Sequence, residues 1–266
     1  MLNQKQKDFI LENYKNGKSI NFIAKEVGIS WDTVKRFLLK EEISLNKNLN
    51  QFQKEQDLSS LFEKVDNCET AYWLGFLYAD GSIRSGSRNE ISLDLKEEDL
   101  ETIKAFQSFC NNKNNIREHI IKRNGKEFKS YVSSFSNKKV KENLIKLGCT
   151  PKKRLTLEFP SEEQVPQEFL YDFMRGYFDG DGYGRYDLEK HKYDIVILGT
   201  ENFLKGAAVR LEISDIVKIQ STNTKVFSLT FYGKENVYNF LKNLYDNDRI
   251  ALNRKKQIFL QAQSGL

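Results

Sequence analysis

Apolar side chains recur at helical spacing through the first forty residues. Residues 4–15 form one amphipathic segment. In SINFIAKEVGISWDTVKRFLLK (19–40), Ile20, Ile23, Ala24 and Val27 fall on one face of a helix predicted near 19–27. Gly28 tolerates the positive φ of a sharp turn, and Ser30 is a good N-cap for a second helix near 31–40. Val34, Phe37 and Leu38 of that helix complete the small core, leaving Trp31, Asp32, Lys35 and Arg36 outward. A plain three-helix bundle for protein contacts would share this periodicity. The order of turn glycine, capping serine and exposed basic pair favours a helix–turn–helix, whose second helix enters the DNA major groove. Trp31, Lys35 and Arg36 are the candidate contacts there.

Residues 46–68 are rich in Asn, Gln, Ser and charge, have little periodicity, and read as a linker or a loosely docked segment. From residue 69 the pattern runs through one cycle twice. A helical run ends at 79–81, strands follow at 82–86 and 91–95, then a helix at 97–110. A hairpin fits 116–136 with Asn124-Gly125 as its turn, and a helix fits 137–147. The second cycle has a helix at 167–180, strands at 183–187 and 193–198, a helix at 201–211, strands at 215–221 and 225–232, and helices at 234–246 and 250–262. All three prolines, Pro151, Pro160 and Pro166, fall between the copies, where a connection tolerates them. The pattern predicts an α+β fold: a small all-α domain (1–45), a linker (46–68), and two pseudo-symmetric αββαββα repeats (69–160 and 161–266).

Composition narrows the chemistry. The chain has 266 residues, 39% hydrophobic and 30% charged, with a net charge of +5. This fits a globular protein, and the mild basic surplus is compatible with nucleic acid without requiring it. Cys68, Cys110 and Cys149 match neither a disulfide framework nor a zinc spacing, which favours a reducing cytosol. No apolar stretch is long enough to span a membrane, and the first residues lack the apolar core of a signal peptide. His119 and His191 are the only histidines, so chemistry needing several is disfavoured.

Two stretches carry the candidate chemistry. WLGFLYADG (73–81) and MRGYFDGDG (174–182) share a glycine at the third position, a small residue four later, then Asp-Gly. Small residues four apart share a helix face and let two helices approach closely. The terminal glycine would take the left-handed conformation that ends a helix. Asp80 and Asp181 would then sit at the negative ends of two helix dipoles, a costly place unless a divalent cation neutralises them. Residues 179–190 also resemble a calcium loop. However, Tyr183 and Lys190 occupy its fifth and twelfth positions, where oxygen donors are required. One Asp in a glycine-capped helix could be chance, but the second copy weakens that explanation. Lys153 follows Asp80 by 73 residues and Lys255 follows Asp181 by 74, both inside basic clusters. Matched offsets favour a role in stabilising phosphate charge over a merely solvated basic run.

Together these features resemble the single-chain, two-motif form of the LAGLIDADG homing endonucleases, over about residues 69–262. The resemblance implies two motif helices on a pseudo-twofold axis and antiparallel sheets lying over DNA. Asp80 and Asp181 match the metal-binding position, with Ala79 and Gly180 offering backbone carbonyls. Lys153 and Lys255 match the peripheral basic residue, with Lys152 and Lys256 as alternatives. Asp179 is not assigned to catalysis, because Tyr78 stands at its position in the first copy. The helix–turn–helix resembles accessory modules appended to such enzymes.

The implied activity is site-specific double-strand cleavage of DNA with Mg²⁺ or Mn²⁺, by a monomer acting on a long pseudo-palindromic or asymmetric site. The expected setting is a cytoplasmic, nucleoid-associated protein of a bacterial or phage intron or other mobile element. Arg84, Arg88, Arg117, Lys122, Arg185, Lys192, Lys218 and Gln220 are candidate base contacts from the sheets. A non-catalytic DNA-binding regulator and an RNA-binding intron maturase could share this scaffold. Intein splicing is not expected from a chain that begins Met-Leu and ends Gln-Ser-Gly-Leu.

Overall fold

The computed structural model describes residues 2–15, 20–41, 43, 58, 60–123, 126–187, 192–222, 226–246 and 250–264. The expected hairpin turn at Asn124-Gly125 lies outside these residues. The chain divides into two compact units, Met1–Asp57 and Leu58–Leu266. Among the described residues, no helix is long and apolar enough to cross a membrane.

The first unit contains α1 (Gln4–Lys15), α2 (Ile20–Val27) and α3 (Trp31–Lys40). Ile10, Ile20, Ile23, Ala24, Val34, Phe37 and Leu38 form its core. Gly28 turns the chain at φ 70°, and the Ser30 hydroxyl accepts the Thr33 amide at 3.2 Å to cap α3. The apolar spacing and the two punctuating residues therefore act as the periodicity implied.

The second unit repeats one cycle. The first copy comprises α4 (Cys68–Ala79), β1 (Gly81–Ile83), β2 (Glu90–Lys96), α5 (Leu100–Phe109), β3 (Arg117–Arg123), β4 (Lys126–Ser136) and α6 (Lys138–Lys146). The second comprises α7 (Leu170–Asp181), β5 (Gly182–Asp187), β6 (Lys192–Gly199), α8 (Glu201–Arg210), β7 (Val217–Ser221), β8 (Phe227–Phe231) and α9 (Lys234–Tyr245), followed by α10 (Asn253–Ser264). The antiparallel sheets have the same order, β1-β2-β4-β3 and β5-β6-β8-β7. Ile91, Leu93, Leu95 and Phe135 in one sheet, and Ile195, Ile197, Leu229 and Phe231 in the other, join a core shared with the helices.

The helices α4 and α7 cross at the centre of this unit. Every residue of α4 from Thr70 to Tyr78 is buried, as expected for a helix apolar all round. A Cβ added to Gly75 would lie 2.9 Å from the Phe173 carbonyl carbon and Tyr177 nitrogen. One added to Gly176 would lie 2.8 Å from the Tyr72 carbonyl carbon and Phe76 nitrogen. Each glycine thus lets the other helix's backbone rest on its own.

Two expectations are corrected. Gly81 and Gly182 do not adopt the left-handed conformation: Gly182 has φ −82° and ψ 149°, and each motif helix passes directly into a strand. Glycine is needed there because a Cβ would strike the preceding turn, at 2.6 Å from the Leu77 carbonyl oxygen in the first copy. The expected linker is also shorter than its composition suggested. Phe62 and Val65 are buried in the second unit's core, and residues 46–57 lie outside the described residues. Leu58, Leu61, Phe62 and Val65 fall at i, i+3, i+4 and i+7, a spacing too short to stand out among polar neighbours.

Gly176→Ala tests the crossing. Overpacking against backbone rather than a yielding side chain should cost about 2–3 kcal/mol and lower the melting temperature by roughly 5–10 °C. An unchanged melting curve would contradict the close approach.

Candidate metal and nucleic-acid site

Asp80 caps α4, its amide donating to the Phe76 carbonyl at 3.0 Å, and Asp181 is the last residue of α7. A Cβ on Gly180 would sit 3.1 Å from Asp80 Oδ2, so the first acid lies against the backbone of the opposite helix. The crossing therefore brings both carboxylates to one end of the helix pair. Lys153 stands in a short 3₁₀ turn (Lys153–Leu155), and its ammonium donates to the Gly81 carbonyl. Lys255, in the first turn of α10, donates to the Gly182 carbonyl and lies 5.2 Å from the centre of the Phe178 ring. Each lysine thus meets the residue that follows its own repeat's acid. Lys152, the nearby alternative, is exposed and has φ 59°.

The electrostatics are strained. Burial raises the Asp80 carboxyl, opposed by the positive charges of Lys153, Arg254 and Lys255. Asp181 is pushed up to about 6, first by burial and then by repulsion from Asp80. Burial lowers Lys255 to about 8. A cavity of about 630 Å³ opens beside the helix ends, lined in part by Tyr78, Ala79, Lys153, Tyr177 and Asp181.

The donor set fits a hard divalent ion. No group of three or more His, Cys, Asp or Glu residues suited to a metal occurs among the described residues. Two converging carboxylates, with the remaining positions left to carbonyls, water or phosphate, suit an oxygen-preferring divalent ion better than zinc.

One face of each sheet carries the helices and the other is open. Register places Ser82, Ser92, Asp94, Arg117, His119 and Ser134 on the open face of the first sheet. Glu90 ties Arg84 at 3.2 Å to Arg117 at 3.8 Å, and Arg117 also donates to Ser134 at 3.0 Å. Tyr183, Arg185, Asp194, Lys218 and Gln220 share the open face of the second sheet. The side chain of Lys192 lies outside the described residues. Three candidates are placed differently from expectation. Arg84, just past the end of β1, and Arg88 belong to the β1–β2 loop rather than a strand, and Lys122 points to the face opposite Arg117, paired with Glu127 at 2.9 Å. In the first unit, Trp31 is exposed, Lys35 lies 4.9 Å from its ring centre, and Arg36 Nε donates to the Asp32 carbonyl at 3.3 Å.

Sequence reasoning missed the residues that brace the lysines. Asp179 is completely buried and accepts from the Tyr72 hydroxyl at 2.8 Å, the Tyr245 hydroxyl at 2.6 Å and the Leu252 amide at 2.6 Å. Burial pushes its carboxyl up to about 6 against those three donors. Arg175, four residues earlier, is also buried and donates to Asp172 at 2.7 Å, Ile250 at 2.9 Å and Leu244 at 3.0 Å. Their only sequence signal is an Arg and an Asp one turn apart, among the apolar residues of the middle of α7. Reciprocal links join the repeats. Asp99, at the N-cap of α5, holds Arg254 at 3.2 Å, and Thr200, at the N-cap of α8, donates to the Leu157 carbonyl.

Asp181 supplies a pH test. Its carboxyl is raised to about 6 in the fold from an ordinary 3.8, so folding favours the protonated form. Its contribution is full below the lower value and is lost as pH rises through the upper one. At pH 8 without divalent cation, Asp181→Asn should therefore be more stable than the parent by about 1–3 kcal/mol. The margin should narrow toward pH 4.5, and a divalent cation should stabilise the parent more than the variant. A less stable variant at pH 8 would refute the strain.

No protein-family model matches the chain. A probable translation initiation factor IF-2 of Methanocaldococcus jannaschii is 28% identical over 230 residues, covering 81% of this chain. The chain spans only 18% of that protein, so the factor's activity does not transfer. Among solved structures, the homing endonuclease I-WcaI bound to its DNA recognition sequence aligns with a TM-score of 0.56 at 13% identity, covering 83% of this chain and 96% of that one. A weaker likeness, TM-score 0.49 at 10% identity, covers 74% of this chain and 90% of the LAGLIDADG meganuclease I-AabMI bound to uncleaved DNA. The repeated αββαββα cycle, the crossed helices and the two open sheets lead to one assignment: the chain has the LAGLIDADG homing-endonuclease fold.

Proposed function

We propose that this protein is a site-specific, divalent-metal-dependent DNA endonuclease that cuts both strands. The observation that carries the reading is the duplication of one chemical unit about the helix crossing: an acid at a helix end, with a lysine on the carbonyl that follows it. Two such units suit two scissile phosphates.

Asp80 and Asp181 would hold Mg²⁺ or Mn²⁺, with the carbonyls of Ala79 and Gly180 within the same turns. The ion supplies Lewis acidity toward a phosphodiester and neutralises its charge. Lys153 and Lys255 would add positive charge where the phosphate becomes more negative. The strain on the carboxylates supports this, since charges arranged for a missing partner repel each other without it. The open sheet faces would supply Arg117, Arg185, Lys218 and Gln220 for base edges, and the adjoining β1–β2 loop Arg84, Arg and Gln having bidentate geometry for guanine and adenine. The first unit would add Lys35 and Arg36 as a second contact through a helix–turn–helix.

The test is a cleavage selection on a randomised duplex library with Mg²⁺ or Mn²⁺, and with EDTA as control. We expect linear product with either ion and none with EDTA. Asp80→Asn and Asp181→Asn should each lose double-strand cutting while retaining DNA binding. Metal-dependent cleavage surviving in both variants would overturn the assignment. Sequence-specific binding by the parent without cleavage would favour a regulator, and RNA-splicing assistance that survives loss of Asp80 would favour a maturase.

A further inference from the structure

Lys255 is a buried amine that must be aimed at one carbonyl, and the chain just before it is held with unusual care. The Lys255 amide donates to the Leu252 carbonyl at 2.9 Å, so Leu252 starts the turn that presents the lysine. The amide of Leu252 is fixed by Asp179 at 2.6 Å. On the other side, Arg254 is gripped by Asp99 through contacts of 3.2–3.3 Å, from the opposite repeat. Arg175 secures Ile250 and Leu244 upstream.

We propose that Asp179 and Asp99 are positioning residues for Lys255, fixing the Leu252–Arg254 segment from both ends so that the ammonium is delivered beside Gly182. This deepens the endonuclease reading and rests on it. A fully buried carboxylate is a costly way to close a core, and well-packed apolar residues often do as well or better. What a carboxylate adds is direction, since it accepts a hydrogen bond from one chosen amide. The first copy uses the same position with opposite polarity: the Tyr78 hydroxyl donates to the Leu147 carbonyl at 2.5 Å, on the segment leading to Lys153. Position 78 and position 179 each lie two residues before an acid and each brace the chain that carries its lysine. Asp179 does not reach the reacting atoms and is not a catalytic residue.

The test uses the full chain and a supercoiled plasmid bearing the selected site, with Mg²⁺ and strand-resolved primer extension. Asp179→Asn and Asp99→Asn should each slow cutting of one strand by about a hundredfold, the cost of misplacing a reacting group by about 1 Å. It should be the strand that Lys255→Met slows, with the other strand cut near the parent rate, so nicked circles accumulate. In metal-free protein, acylation of Lys255 followed by mass spectrometry should rise in both variants. A general loss of structure would slow both strands together, and that result overturns the proposal. So does unchanged protection of Lys255. If the parent cuts no DNA, the endonuclease reading fails while the acylation measurement still decides the positioning role. If Asp179→Asn does not fold, Asp99→Asn supplies both readings.

Discussion

The contact between two helix backbones at Gly75 and Gly176 is the constraint on which the second unit depends. With no side chain between them, the carbonyls of Phe173 and Tyr72 fill the space a Cβ would take. That proximity fixes where the helices end relative to each other. It therefore fixes the spacing of Asp80 and Asp181, and the point at which each chain enters its sheet. Each motif helix leads into the first strand of its own sheet, and the two sheets have the same strand order.

Close approach creates a conflict that the fold does not resolve by itself. Two carboxylates at the negative ends of two helix dipoles repel, and burial sharpens the repulsion. The nearby lysines are occupied with main-chain carbonyls rather than forming ion pairs with the acids. Such tension is uncommon in a structural core and usual where a ligand completes the charge balance.

The helices and strands of both repeats were legible because each element has its own periodicity. The acids and lysines were legible because the chain contains its own comparison: one motif beside its copy separates Asp181, which has a counterpart, from Asp179, which does not. The face of each strand needed pairing register, and so Lys122 could not be distinguished from Arg117. Phe62 and Val65 were obscured by polar neighbours. The partners of Asp179 lie 66, 73 and 107 residues away, and Arg254 lies 155 from Asp99. Contacts at such separations leave no local pattern. The glycines at 81 and 182 were recognised as necessary, but close approach to the previous turn, not a left-handed cap, makes them so.

The reciprocal links at the starts of α5 and α8 bear on how such a chain can diverge. Asp99 in the first repeat holds Arg254 near the end of the second, while Thr200 in the second holds Leu157 just beyond the first. Each half therefore completes the other's tail. One clamp is a charged pair and the other a hydroxyl on a carbonyl, so the halves are no longer interchangeable. A symmetric pair built from two second repeats would offer a threonine where Arg254 needs a carboxylate. The two halves are complementary rather than identical parts, and separating them would undo both clamps.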